Sequence, residues 1–204
     1  MSGVQDCEKN QACFFEWLAI ALAPTICGSK PSTILSLMDT RCLAAYRLWK
    51  KFGREFLDGS LVRYKTLRSS DRQETVLFYR DEILAKCMLH CQHKRFLIRL
   101  GYPVEQGVEA CLEDLAERFR ACCPHEIGIL LGIPFKDVLG FMAKSQLPET
   151  CRGEWCVYGN PEASLCIMQK FADDRQQVER LLIEGVSPQA IIRGTLQTNC
   201  MAGA

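Results

Sequence analysis

Apolar positions recur at helical spacing along most of this chain, and only two short runs break into β-type patterns. Residues 11–23 place Phe14, Trp17, Leu18, Ala21 and Leu22 on one face with Glu16 off it. Pro24 disfavours a helical residue before it and is expected to stop that helix. A loop is expected over 23–31, with Ser32 or Thr33 as N-cap of a further helical stretch over 32–55, in two pieces meeting near Asp39. Leu43, Tyr46, Leu48, Trp49 and Phe52 supply its apolar surface, and Gly59 closes it. The alternating run at 61–67 and the β-rich run at 75–79 flank the polar turn Ser69, Ser70, Asp71 and Arg72, which predicts an antiparallel hairpin.

Asp81 is expected to cap a helix reaching about Leu100, ended by Gly101 and Pro103. A helix over 104–121 carries Val108, Cys111, Leu112, Leu115 and Phe119. Pro124 then opens a helical hairpin over 124–143. Its first helix shows Ile127, Leu130 and Leu131 on one face and ends at Gly132 as C-cap; Pro134 starts a second with a buried stripe of Val138, Phe141 and Met142. Residues 151–159 read as a loop and short strand rich in aromatics. The rest is helical, from 161 to 184 and again after Ser187 and Pro188, with a tail at 199–204 expected to fray. No internal repeat or low-complexity segment is present. The pattern predicts an α+β fold: a predominantly helical single domain with a small antiparallel sheet. Residues 1–160 form its core and residues 161–204 are C-terminal helices packing on that core.

Composition narrows the classes. A net charge of +1 and an apolar fraction of 48% describe a globular chain and argue against bulk nucleic-acid or anionic-membrane binding. The N-terminus lacks the basic and apolar regions of a signal peptide, and the apolar run over 12–23 is interrupted by Glu16 and too short to span a bilayer. The expectation is a cytoplasmic protein without membrane insertion. Thirteen cysteines are many for such a chain. Their odd number excludes complete intrachain pairing, and in a reducing cytosol most are expected as free, small buried hydrophobes.

Three places offer chemistry. Gly28, Ser29 and Lys30 in the 23–31 loop could cradle an anion, although the Walker spacing is absent and a rigid turn explains the same residues. Cys87, His90 and Cys91 fall on one face of the expected 81–100 helix, a metal-competent spacing, with His93 pointing elsewhere; buried thiols beside a surface histidine are the alternative. Cys122, Cys123, His125 and Glu126 crowd the start of the hairpin. There His125 with its neighbouring carboxylate can ligate a divalent ion or shuttle a proton, or simply form a capped helix start.

Four stretches, APTICGSKP at 23–31, VLFYR at 76–80, PHEIGILLGIPFKDVLGF at 124–141 and GEWCVYG at 153–159, together resemble the uncharacterised bacterial family called domain of unknown function 3793. The resemblance spans most of the chain and implies a protein mainly of anaerobic bacteria. It singles out Thr25, Lys30, Tyr79, Arg80, His125, Glu126, Trp155 and Tyr158. The family's neighbourhood to flavodoxin and ferrous-iron uptake genes implies iron or redox physiology. Leu22 and Cys156 stand where the family pattern has a cysteine and a lysine, which weakens these cysteines as ligands common to the family.

Three functions remain open. The first is binding of a metal, haem or small anionic ligand, with or without catalysis, in a pocket centred on His125 and Glu126. In this reading iron, haem or zinc is the cofactor, and Cys122 and Cys123 are further metal ligands. Thr25, Lys30, Tyr79, Arg80, Trp155 and Tyr158 contact the ligand, and Glu126 pairs with Lys30 to position His125. The second is an interaction partner without chemistry of its own, docking a flavodoxin-like acidic protein on the basic cluster from Arg41 to Arg72. The third is a helix-turn-helix DNA-binding regulator built on 126–138, disfavoured because the second helix offers only Lys136 and Lys144.

Overall fold

Strand β3, Gln73–Arg80, is buried along nearly its whole length, and the rest of the molecule is laid on its two faces. The computed structural model describes residues 2–194, with side chains described from Asn10 onward. The expected fraying of 199–204 lies outside the described residues. Val76 and Phe78 of β3 point into one apolar cluster, and Leu77 and Tyr79 into the other. A strand covered on both faces needs apolar residues at every position, which is why VLFYR shows no alternation.

The sheet is antiparallel with order β1-β3-β2, where β1 is Ser32–Met38 and β2 is Val62–Ser69. The β2–β3 hairpin forms as expected. A bulge between Thr66 and Arg68 shifts the register, and strand alternation puts Leu67 on the face opposite Val62 and Tyr64. Strand β1 corrects the sequence reading. Ser32–Met38 was expected to be helical and is instead the second edge, pairing Ile34 with Leu77 and Ser36 with Thr75. Its Ser-Thr start mimics a helix cap. β-branched Thr33 and Ile34 and the open hydrogen-bonding edge of β3 decide for the strand. Helix α2, Ala45–Leu57, keeps the remainder of the expected helical stretch, and Gly59 ends it with φ +73°.

Helix α1, Ser2–Cys27, also overruns its expected stop, since Pro24 lies inside it. A proline so near a helix end costs one hydrogen bond, and here the last turn is held by tertiary contacts. Thr25, fully buried, hydrogen-bonds Thr33 of β1 at 2.8 Å, and the Pro24 carbonyl accepts from Lys30 N at 3.0 Å. The loop is therefore only 28–31. Against one sheet face pack α1, α2, the C-terminal part of α8 (Glu162–Ile183) and α9 (Pro188–Ile192). Ser187 caps α9 by accepting from Ala190 N.

Against the other face pack α3 (Asp81–Leu89), α4 (Cys91–Arg99), α5 (Val108–Phe119), α6 (Ile127–Leu130) and α7 (Phe135–Phe141). The single helix expected from Asp81 is broken at His90, whose ψ of 131° is extended. The break removes the shared face of Cys87, His90 and Cys91. His93, expected to point away, returns to the Cys87 carbonyl through Nδ1 at 2.8 Å. A 3-10 turn at Val104–Gln106 and Gly107 precede α5, so the expected 104–121 helix starts four residues late. A two-stranded ribbon, β4 (Glu149–Arg152) with β5 (Cys156–Tyr158), lies beside α7. Among the described residues no helix is long and apolar enough to cross a membrane. The eleven described cysteines are all free, but only Cys111 is buried, which overturns the expectation that most thiols fill the core. Cys42, Cys91, Cys122, Cys123 and Cys166 sit at helix ends or on outer faces.

Candidate functional site

The α6–α7 hairpin is fixed by its own backbone. Ile127 N and Gly128 N bond the carbonyls of Pro124 and His125, a tight first turn. At the far end Gly132 takes φ +75°, with Gly132 N on Ile129 O at 3.0 Å and Ile133 N on Gly128 O at 2.9 Å. That pair is the Schellman motif expected of a glycine stop. Pro134 then serves as the N-cap of α7. Phe141 departs from the expected buried stripe: it is 53% exposed and meets His125 edge-on, ring centroids 5.0 Å apart.

The 23–31 and 153–159 blocks pack on this hairpin, and the 76–80 block is tied to the first of them. Pro31 packs so close to Gly132 that a Cβ there would lie 2.7 Å from its Cδ, and Ser32 Oγ donates to Leu130 O at 2.7 Å. Arg80 Nη1 donates to Ile26 O, tying the 76–80 block to the end of α1. The 153–159 block is held through Asp137. This carboxylate, 1% exposed, accepts from Lys136 Nζ (2.7 Å), Tyr158 N (2.9 Å), Trp155 Nε1 (2.9 Å) and Ser164 Oγ (2.6 Å). Burial pushes its carboxyl up, but the four hydrogen bonds outweigh burial and hold it below its ordinary value. The Tyr158 ring lies flat against Gly140, where a Cβ would come within 2.2 Å of Cγ.

Two cavities flank His125. The larger, about 470 Å³, runs between α6–α7 and the 153–159 block. Ile127, Leu131, Val138, Phe141 and Trp155 make its walls, and Cys123, His125, Glu154 and Cys156 its polar margin. The smaller, about 410 Å³, lies on the other side of His125 against Arg118, Cys122, Glu126 and Met142. Glu126 belongs there. Its Oε1 accepts from Tyr102 Oη at 3.1 Å and pairs with Arg118 Nη1 at 3.5 Å, in place of the expected pairing with Lys30. Burial, and then the charge of Glu126, raise the Tyr102 phenol well above its ordinary value.

The residues singled out from sequence therefore divide. His125 and Trp155 line the larger cavity together. Thr25 is locked against Thr33. Lys30 holds its ammonium 4.9 Å from the Phe171 ring centroid, and burial lowers its pKa. Phe171 also meets Trp155, at 6.2 Å between centroids, so Lys30 lies one ring away from the cavity wall. Tyr79 Oη reaches Glu109 at 3.5 Å, and burial followed by that carboxylate pushes the phenol up to about 12. Tyr79, Arg80, Thr25 and Tyr158 thus join elements rather than face open space. Among the described residues no three His, Cys, Asp or Glu side chains are grouped as an ion requires, so Cys122, Cys123 and His125 do not form a ligand set of their own. Cys122 lines only the smaller cavity, whereas Cys123 and His125 border both.

Of the nine cations over 41–72, three are paired with carboxylates among the described residues: Arg47 with Asp39, Lys50 with Glu74, and Lys65 with Glu109 and Glu113. Of the two lysines considered for DNA, Lys136 is turned inward onto Asp137 and the Tyr158 carbonyl. Sequence reasoning missed Asp137 and Asp174, the two fully enclosed aspartates among the described residues. Asp174 of α8 accepts from Lys170 and from Ser29 of the 23–31 block. The available signal was the aspartate set among Phe135, Val138 and Leu139, where a solvated carboxylate has no place.

The sequence model of the family described as "Protein of unknown function (DUF3793)" matches residues 18–192, and the chain belongs to this family. No curated protein and no solved structure matches the chain.

Proposed function

We propose that this member of the DUF3793 family binds a flat, mainly apolar small molecule in the larger cavity, with His125 as the side chain that ligates or protonates it. The observation that carries this reading is an apolar cleft of about 470 Å³, within the usual size range of ligand sites, with one exposed imidazole at its margin. Among the ligands considered from sequence, this setting favours an iron porphyrin. A bare ion needs three or more protein donors, and the described residues offer no such group. A porphyrin brings four nitrogens of its own, so His125 would be the one protein ligand needed to hold its iron. Ile127, Leu131, Val138 and Phe141 suit the macrocycle's faces, and Trp155, anchored by Asp137, forms a rigid wall. A small hydrophilic anion fits less well, since Lys30 lies outside the cavity lining and Glu154 sits within it.

Anaerobic titration with iron protoporphyrin, followed by its absorption spectrum, tests the reading. The expected result is saturable one-to-one binding with a histidine-ligated spectrum in the native protein, and loss of that signature in His125→Ala. Absence of saturable binding, or an unchanged spectrum in the variant, overturns it.

A further inference from the structure

A third cavity, away from His125, carries the opposite character. It encloses about 530 Å³ between α4 and α7 and is lined by Gln92, Arg95, Phe96, Arg99, Leu100, Phe135, Leu139 and Lys144. Three of these residues are cationic and none is acidic. Arg95 and Arg99, four apart on α4, project from the same helix face. Lys144 is brought in from the end of α7 by a left-handed Ala143, φ +53°. Its N–H closes back on Leu139 O at 2.8 Å. A non-glycine residue is strained in that conformation by about 1 kcal/mol, yet it is what places Lys144 beside Leu139.

The side chains of Arg95, Arg99 and Lys144 make no ion pair or hydrogen bond among the described residues. This contrasts with Lys94 on the same helix, which pairs with Glu105 at 3.3 Å. Three unanswered positive charges around one concavity, in a protein of net charge +1, repel one another until an anion enters. The remaining lining is aromatic and aliphatic. Phe96 and Phe135 meet edge to face with centroids 5.3 Å apart, offering ring surface next to the charges, and Gln92 adds an amide that both donates and accepts.

We infer that this cavity is a binding site for a phosphorylated compound carrying a flat ring, of the nucleoside diphosphate class. Arg95 and Arg99 present planar forks that match phosphate oxygens, and Lys144 adds a point charge. Phe96 and Phe135 receive the ring, and Gln92 contacts its polar edge. Concavity together with ring surface distinguishes this site from a flat basic patch suited to an acidic protein.

Calorimetric titration of the full chain with ADP, inorganic pyrophosphate and adenosine tests the assignment, at low and physiological ionic strength. ADP is expected to bind most tightly and to weaken with salt. Arg95→Gln with Arg99→Gln should weaken ADP about tenfold or more. Lys144→Gln, an exposed position that spares α4, provides the same test should the double variant unfold. Phe135→Leu should weaken ADP several-fold and leave pyrophosphate unchanged. His125→Ala, in the other cavity, should bind ADP as the native protein does. Undetectable ADP binding, native-like binding by Lys144→Gln, or pyrophosphate binding as tightly as ADP would each overturn the inference. So would binding of polyglutamate in preference to ADP, which would make this face a protein-docking surface.

Discussion

Replacing Asp137 by Asn removes one charge and changes almost nothing in shape, so it isolates what the buried carboxylate does. Oδ1 receives Lys136 Nζ and Tyr158 N, and Oδ2 receives Trp155 Nε1 and Ser164 Oγ. An asparagine satisfies only one such pair with its carbonyl. Its amide, turned toward the other pair, can donate to Ser164 once that hydroxyl rotates, but the Trp155 N–H has nothing left to bond. One stranded buried donor costs about 1–3 kcal/mol, and loss of charge assistance on the remaining bonds adds about 1 kcal/mol. Lys136 is 28% exposed and recovers part of its loss in water. We therefore expect Asp137→Asn to destabilise the fold by about 2–4 kcal/mol, and Asp137→Ala, which strands all four donors, by about 4–5 kcal/mol. Urea unfolding read by tryptophan fluorescence measures both. The carboxyl is held below its ordinary value of 3.8, so its stabilisation is fully present above about pH 4 and is lost as pH falls through the folded value. The gap between native protein and Asp137→Asn should therefore close in acid. An Asn variant within about 0.5 kcal/mol of native, or a gap unchanged below pH 4, would refute the role given to Asp137.

Gly132→Ala should cost about 2–4 kcal/mol, because the new Cβ meets Pro31 at 2.7 Å in a backbone conformation already unfavourable to alanine; a melt unchanged from native would contradict the close contact. In anaerobic thiol titration, the exposed Cys42, Cys91, Cys122, Cys123 and Cys166 should react in the native protein. Cys87 and Cys111, whose thiols burial pushes up to about 11, should react only on unfolding. Glu126→Ala should destabilise by about 1–3 kcal/mol by stranding the buried Tyr102 hydroxyl, while Arg118 keeps its bonds to Asp114 and the Leu100 carbonyl; an unchanged urea midpoint would contradict this. A Glu126→Gln and Lys30→Met double-mutant cycle should show coupling within about 0.3 kcal/mol, and a larger value would restore the pairing expected from sequence.

The parts of the fold legible in the sequence were those whose signal is local. The β2–β3 hairpin follows from alternation around a four-residue polar turn, and the α6–α7 junction from Gly132 and Pro134. What failed depended on distant partners. Ser32–Met38 becomes a strand because β3 presents an open edge about forty residues later in the chain, and nothing within 32–38 records that edge. Pro24 was a sound stop signal on local grounds. It lost to the buried Thr25–Thr33 contact, which exists only once β1 is in place. His90 breaks a helix that apolar spacing alone carried through to Leu100.

Of the candidate residues, the sequence showed which stretches to look at but not how their side chains are used. The 23–31 and 153–159 blocks pack on the α6–α7 hairpin, and most of their polar side chains are spent on holding the structure together. Tyr158 packs on Gly140, Arg80 caps the end of α1, Thr25 bonds across to β1, and Trp155 gives its one N–H to Asp137. A polar residue in an apolar block looks like chemistry when read from sequence, yet in a close-packed interior each must have a partner, and the partner is usually structural. The side chains left over after that accounting are more informative. Among the described residues around the hairpin, His125 is exposed and meets the Phe141 ring, and Lys30 is half-buried over the Phe171 ring with the Glu154 and Arg175 charges near it. On α4 and after α7, Arg95, Arg99 and Lys144 face a cavity with no carboxylate in its lining. Groups the fold does not use are those available to a ligand. Of these, His125 borders one cavity and Arg95, Arg99 and Lys144 another, and α7 contributes to both, Val138 and Phe141 lining the first and Phe135 and Leu139 the second. One short helix thus carries a wall of both cavities, each face of it set by which residues the helical spacing turns toward α4 or toward the 153–159 block.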